Sequence, residues 1–108
     1  MIRISLLMLL LLTAPFSLQA GGNAAAGQEK AKVCEACHGP IGKSMDPGFP
    51  NLAGQYKSYL IQALQDYRAG RRTNAIMAGF ATNLSNQDIA DLSTWYSKQD
   101  GLRDLKIK

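Results

Sequence analysis

The segment Cys34-Glu35-Ala36-Cys37-His38 decides how this chain of 108 residues is organised. Its two cysteines and its histidine are the only residues of those types in the chain. CxxCH is the pattern for covalent attachment of a c-type haem. Two thiols on one turn of helix can each add to one vinyl group of the same macrocycle, and the histidine then lies beneath the iron. The segment therefore predicts one haem c per chain, tethered by Cys34 and Cys37 and ligated by His38.

Two other uses of these cysteines remain as alternatives. A redox-active dithiol of the thioredoxin kind belongs in a βαβ unit and needs a thiol of low pKa, and no window of this sequence alternates like a strand. A structural zinc site needs two further ligands, but the sequence contains no third cysteine and no second histidine. Both alternatives explain less of the sequence than the haem does.

A single histidine leaves the second axial position of the iron to a methionine or to solvent. Met45 follows His38 by only seven residues, so it would have to pass round the edge of the porphyrin with little spare chain. Met77 follows a long predicted helix that can carry the chain to the opposite face. The spacing therefore favours Met77 as the sixth ligand, with Met45 or an open, water-bound iron as the alternatives.

The rest of the sequence predicts an all-α domain of three to four helices. Good helix formers extend from Ala24 to Val33. From Gln55 to Ala69, apolar side chains recur at helical spacing, and Gly70 is placed to end that helix. Ser85 and Asp88 form the signature of a capping box at the start of a last helix that reaches about Lys98.

Two long segments between these helices are predicted as loops. Residues 39–54 contain four glycines and three prolines, and residues 71–84 show no clear periodicity. Loops of about 15 residues are unusual in a small domain unless they wrap a ligand. A mature chain of this size also buries too little surface to be stable without help. Both arguments place a haem inside the domain, between the loops.

The amino-terminal residues are predicted to be a secretory signal. Arg3 precedes an apolar run from Ile4 to Leu12, and a segment with small residues ends at Ala20. Pro15 interrupts the run well before the roughly 20 residues that a membrane span needs. We expect residues 1–20 to be removed and residues 21–108 to form one domain in the periplasm, with an uncleaved anchor as the alternative.

The chain resembles a class I c-type cytochrome, of the small bacterial mono-haem kind similar to cytochrome c-553, and one half of the related di-haem cytochromes. The resemblance covers Asn23 to about Gln99 and is specific, because it extends well beyond CxxCH. The matching segments are Ala26 to Gln28, Cys34 to Gly39, Phe49 to Gln55, Tyr59-Leu60, Tyr67 to Gly70, Met77-Ala78, Leu84-Ser85 and Asp88 to Leu92.

The resemblance implies a cytochrome c fold and several residue roles. The methionine ligand of the family falls on Met77. The carbonyl of Pro50 is expected to accept a hydrogen bond from His38 and so to fix the tautomer of the ring. Gly27 is expected to let the first helix cross the last one closely, near Trp95 or Tyr96.

The expected function is that of a soluble periplasmic electron carrier, not an enzyme. A His38/Met77 iron with no open site suits one-electron transfer between redox partner proteins that dock transiently. We expect a monomer that binds no small-molecule substrate and meets membranes only through partner complexes. The formal net charge of +4 includes no basic patch interleaved with aromatic residues, so nucleic acid is not an expected partner.

Two other functions remain open at this stage. The chain could be the haem subunit of a periplasmic dehydrogenase or oxidase complex, for which Leu102 to Lys108 is the candidate contact tail. It could also be a ligand-binding haem protein, if the iron lacks a sixth protein ligand.

Overall fold

The computed structural model describes residues 21–102, and this part of the chain contains five α-helices and no strand. The helices are α1 (Ala24–Lys30), α2 (Glu35–His38), α3 (Lys57–Ala69), α4 (Ala75–Ala81) and α5 (Asn86–Ser97), with a 3-10 turn over Ala31–Val33. The all-α prediction is confirmed. The predicted signal segment 1–20 lies outside the described residues, as do residues 103–108 of the candidate tail.

The three predicted helices form for the local reasons that the sequence suggests. Helix α3 begins two residues later than expected and ends at Gly70, whose φ of 75° is in the left-handed region that favours glycine. Helix α5 begins with the predicted capping box: the Ser85 side chain accepts a hydrogen bond from the Asp88 amide, and the Asp88 carboxylate accepts one from the Ser85 amide. These ends fix where each helix presents its apolar side.

The prediction of an uninterrupted loop over residues 71–84 was wrong. Helix α4 forms inside it, because the side chain of Asn74 accepts a hydrogen bond of 3.0 Å from the Met77 amide and so caps the helix. The other predicted loop contains no helix, and the remaining short segment 71–74 connects α3 to α4. Met77 consequently lies in the first turn of a helix instead of on a loop.

Helices α1 and α5 cross in direct backbone contact. A Cβ added at Gly27 would overlap the carbonyl group of Asp91 and would lie 2.8 Å from the Cβ of Trp95. Only glycine fits at that point without a shift of one helix. The expected crossing at Gly27 and Trp95 is therefore confirmed.

A buried carboxylate fastens the same two helices. Asp91 is 3% exposed and accepts hydrogen bonds from Lys30 Nζ at 2.6 Å, from the Asn23 amide at 2.7 Å and from Gln87 at 2.8 Å. Lys30 Nζ also lies 2.8 Å from Asp88. This group, which we call the Asp91 clasp (Asn23, Lys30, Gln87, Asp88 and Asp91), joins the first and last helices of the domain.

The long loop after α2 is attached to the end of α5. The Gly54 amide donates to the carbonyl of Tyr96 at 2.9 Å, and the Leu102 amide donates to the carbonyl of Ala53 at 2.7 Å. Within the loop, the carbonyl of Gly42 accepts from the amides of Leu52 and Ala53. These bonds hold residues 50–55 in place beside α2 and α3. In residues 21–102, no helix has the length and apolar character needed to cross a membrane.

Candidate cofactor site

Two adjoining cavities of about 170 and 140 Å³ lie between α2, α3, α4 and the loop before α3. Four of the five predicted site residues line both cavities: Cys34, His38, Pro50 and Met77. The fifth, Cys37, lines the smaller one. The structure thus brings together all five residues that the sequence selected, although Met77 is 39 positions from His38 in the chain.

His38 is buried, and one of its ring nitrogens is already engaged. Nδ1 lies 2.8 Å from the carbonyl oxygen of Pro50. A carbonyl oxygen only accepts hydrogen bonds, so Nδ1 must carry the proton in the neutral ring. Nε2 is therefore the nitrogen whose lone pair is available to a metal, and its basicity increases as Nδ1–H donates. The contact that the resemblance implied is present.

The two cysteines are free thiols held on the turn that leads into α2. Cys34 is the residue before α2, Cys37 lies within it, and both are partly buried. Burial raises the pKa of the Cys34 thiol, and the nearby Cys37 and Glu35 act in the same direction. A protonated, shielded thiol does not match the low-pKa nucleophile of a redox dithiol.

The two methionines of the described region have opposite environments. Met77 is half-buried and lines both cavities. Met45 is fully exposed and lines neither of them. The structure therefore places the methionine favoured by the spacing at the site and the other one in solvent.

The apolar side of α3 contributes both to the hydrophobic core and to the wall of the larger cavity. Leu60 belongs to a buried cluster with Leu92 of α5, and Leu64 packs against that cluster. Tyr56 is exposed and lines neither cavity. The residues of α3 that line the larger cavity are Tyr59, Leu60, Ala63, Leu64 and Tyr67.

Helix α5 closes the cavity from the far side with Leu92 and Tyr96. The hydroxyl of Tyr96 is buried beside the Cys34 thiol. Burial and this neighbour raise the pKa of the hydroxyl, which therefore stays neutral. A chamber with mostly apolar walls, a free imidazole nitrogen and a thioether fits a large, mostly apolar group with a few polar edges.

The open side of the smaller cavity has an apolar rim. Val33, Ile76 and Phe80 line this cavity, yet they are 65%, 58% and 48% exposed. Ile41 is also partly exposed but lines neither cavity. We call Val33, Ile76 and Phe80 the apolar rim.

Sequence reasoning missed one charged residue of the site, Arg72, which lines the larger cavity. From the sequence alone, Arg71 and Arg72 look like a pair of basic residues exposed to solvent. The sequence offered one indication of this role: Arg72 lies two residues after Gly70, which ends α3, and five residues before Met77.

Comparisons with known proteins agree with this geometry. A family model described as Cytochrome c matches residues 24–98. Cytochrome c4 of Pseudomonas aeruginosa is 51% identical over 80 residues, which cover 74% of this chain and 40% of that protein. Cytochrome c-554(548) of Halomonas halodenitrificans is 44% identical over 82 residues, which cover 73% of this chain and 99% of that protein.

The fold agrees as well. The crystal structure of reduced recombinant cytochrome c4 from Pseudomonas stutzeri matches with a TM-score of 0.71 at 43% identity, over 75% of this chain and 47% of that one. The chain spans about half the length, or less, of the cytochromes c4 that it matches. It therefore corresponds to one of their halves.

Proposed function

Since this chain belongs to the cytochrome c family and its cofactor is haem c, we propose that it carries single electrons between redox partner proteins in the periplasm. Bound haem supplies a one-electron couple between ferric and ferrous iron. One observation carries the proposal: His38 and Met77 line the same cavities, while the other methionine of residues 21–102 is in solvent. An iron with two protein ligands has no position left for substrate chemistry.

The tether is assigned to Cys34 and Cys37. Each thiol would hold the haem through a thioether, formed by addition of its S–H bond across one vinyl group so that nothing is released. Their positions at the start of α2 and within it keep the two sulfurs one helical turn apart. The tether also keeps the cofactor attached in a compartment from which a lost haem would not be recovered.

We assign His38 Nε2 and the sulfur of Met77 as the protein groups that would hold the iron of a bound haem. Pro50 holds the imidazole in one tautomer and orientation through the 2.8 Å contact at Nδ1. The Asn74 cap holds the first turn of α4, and with it the backbone of Met77. Thioether ligation favours the ferrous state and raises the potential. Fixed ligands also keep the geometry similar in the two oxidation states, which suits rapid electron exchange.

The apolar rim supports transient docking of redox partners. Val33, Ile76 and Phe80 surround the opening of the smaller cavity, where a haem edge would be closest to solvent. Three exposed apolar side chains bury little area on contact, and small interfaces are typical of weak electron-transfer encounters. A carrier of this kind works as a monomer, and it must release each partner quickly.

A haem subunit of a larger periplasmic complex is the second candidate. Leu102 is half-exposed at the end of the described region, and the rest of the tail proposed as a contact lies beyond it. Gel filtration in salt separates the two functions, because a carrier elutes as a monomer and a subunit elutes with its complex.

The decisive test is the reduced and oxidised absorption spectrum of the exported protein, followed by redox titration of wild type, Met77→Ala and Met45→Ala. We expect Met77→Ala to keep its covalent haem, to bind added carbon monoxide and to lose potential on the order of 0.1 V, a fraction of the roughly 0.8 V range that axial ligands span. Met45→Ala is the matched control and should leave both properties unchanged. An unchanged potential in Met77→Ala, or rapid carbon monoxide binding by the wild type, would contradict the ligand assignment.

A further inference from the structure

Arg72 is the single permanent cation at the candidate cofactor site. No other arginine or lysine lines either cavity, and neither lining includes an aspartate or glutamate. Its positive charge is therefore not neutralised by a carboxylate of the cavity wall. Arg72 is exposed, so its charge needs no partner to be stable, and its guanidinium is available to an anion bound in the cavity.

The neighbouring arginines differ in this respect. Arg71 Nε donates to Asp66 at 2.8 Å, outside the cavity. Arg68 donates to the carbonyl of Leu84 at 2.9 Å and to the side chain of Asn86 at 2.8 Å, and so ties α3 to the start of α5. Each of these two has partners that account for its position. The Arg72 side chain has no carboxylate at salt-bridge distance within residues 21–102, and its contacts there are with two tyrosines.

Two tyrosines of α3 hold the Arg72 guanidinium at the cavity. Its central carbon lies 4.8 Å from the centre of the Tyr67 ring, within the range of a cation–π contact. Its Nη1 lies 3.4 Å from the hydroxyl oxygen of Tyr59, a long hydrogen bond. A guanidinium has five N–H donors in a planar fork, so most of them remain available after these contacts.

Two amides of the cavity wall have donors to spare as well. The side-chain oxygen of Asn51 accepts from the Ser44 amide at 2.8 Å, and that of Gln55 accepts from the Tyr56 amide at 2.9 Å. The oxygens are thereby occupied, and the NH₂ groups of both residues remain as donors. The larger cavity therefore combines one cation and several N–H donors with no acidic residue.

The chemistry that matches this set is a carboxylate. Haem carries two carboxylates on its propionate groups, and a planar guanidinium pairs with a carboxylate through two parallel hydrogen bonds. We propose that Arg72 binds a propionate carboxylate of the haem and thereby keeps the midpoint potential high. Tyr59 and Tyr67 act as positioning residues for its guanidinium. The inference rests on the proposed function, because it requires a haem in this cavity.

The test is a redox titration of the holoprotein in wild type, Arg72→Gln and Arg71→Gln. Both variants remove one positive charge from adjacent exposed arginines, but only Arg72 lines the cavity, whereas Arg71 is paired with Asp66 outside it. A cation held next to the haem opposes the extra positive charge of the ferric state, so its loss lowers the potential. A charge that does not border the cofactor is screened by the solvent between them. We expect a clear fall in potential for Arg72→Gln and a smaller one for Arg71→Gln.

Equal shifts in the two variants, or no shift in Arg72→Gln, would overturn the assignment. If Arg72→Gln does not yield holoprotein, the Arg72→Lys variant is measured instead. The proposal is supported if this variant carries covalent haem at wild-type yield and its midpoint potential lies between those of wild type and Arg71→Gln. An Arg72→Lys variant that also takes no haem, or whose potential is at or below that of Arg71→Gln, contradicts it. These failures differ from failure of the proposed function, in which the wild type itself carries no haem.

Discussion

The two sides of helix α5 illustrate different ways to stabilise a small domain. On the side of α1, backbones touch at Gly27, and the buried Asp91 carboxylate has three hydrogen-bond donors. On the side of α3, Leu60 shares a buried cluster with Leu92 and Tyr96, but the aromatic and aliphatic side chains beside this cluster surround a cavity. The chain completes the first interface by itself and the second only in part.

The difference teaches that the haem is part of the core as well as the redox centre. Leu60 of α3 is buried by the protein itself, but Tyr59 and Tyr67 border the cavity, so we expect their burial to depend on the cofactor. The α1–α5 interface alone is too small to stabilise a domain of this length. The following predictions are ordered from the largest expected effect to the smallest.

Removal of the tether should have the largest effect. In Cys34→Ala/Cys37→Ala, the haem loses both thioether bonds, and we expect the chain to lose most of its helical circular dichroism at 25 °C because the cavity side collapses. The holoprotein prepared in parallel is the reference. A haem-free variant that unfolds cooperatively, with helix content near that of the holoprotein, would show that the α1–α5 side is sufficient.

The close crossing is tested by Gly27→Ala. The added methyl group overlaps the Asp91 backbone, so we expect thermal or denaturant unfolding of the holoprotein to show a loss of about 3 kcal/mol. Gly79→Ala is the matched control inside α4, where an added Cβ meets nothing within 4 Å. Alanine has a higher helix propensity than glycine, so we expect Gly79→Ala to stabilise the folded protein by up to about 1 kcal/mol. Equal changes in unfolding free energy at Gly27 and Gly79 would contradict the view that α1 and α5 are too close at Gly27 to admit a methyl group.

The smallest effect is expected at the Asp91 clasp. Burial alone would raise the pKa of Asp91, but Lys30, the Asn23 amide and Gln87 outweigh it and hold the pKa below its usual value. A carboxyl group with a lowered pKa stabilises the fold above its unfolded pKa of about 3.9, and this contribution is lost as the pH falls through the lower folded value. Asp91→Asn should therefore cost about 2 kcal/mol at pH 7 and less in acid.

Denaturant titrations of the holoprotein at pH 7 and below pH 4 measure this difference. Asp66→Asn is the control, since Asp66 also has a lowered pKa but is paired with Arg71 at the surface. We expect its stability to follow that of the wild type at both pH values. If Asp91→Asn and wild type differed by the same amount at the two pH values, the clasp would not depend on the ionised carboxylate.

The parts that the sequence predicted are those with a strong local pattern. CxxCH, the stripe of α3 and the capping box of α5 each need only neighbouring residues. Helix α4 was missed because it has only seven residues, contains Gly79 and shows no amphipathic period of useful length. The functional residue in the first turn of α4 is Met77, and the sequence did identify Met77 from its spacing to His38.

Contacts between distant residues could not be predicted in this way. Lys30 and Asp91 are 61 positions apart, and either one alone looks like an ordinary surface charge. Arg72 reads as a solvated residue beside Arg71, and only the folded chain distinguishes the one that faces the cavity. Physical arguments from one sequence identify a chemical motif well, but they do not identify the groups that the fold brings to it.

The Asp91 clasp has a consequence for the order of events during biogenesis. The bond from the Asn23 amide to Asp91 closes a segment in which the partners are 68 positions apart. A polypeptide delivered amino end first cannot make this bond until its last helix has emerged, and closure of so long a loop is slow. Cys34 and Cys37 lie inside this loop, so the clasp encloses the haem site only once the last helix is present.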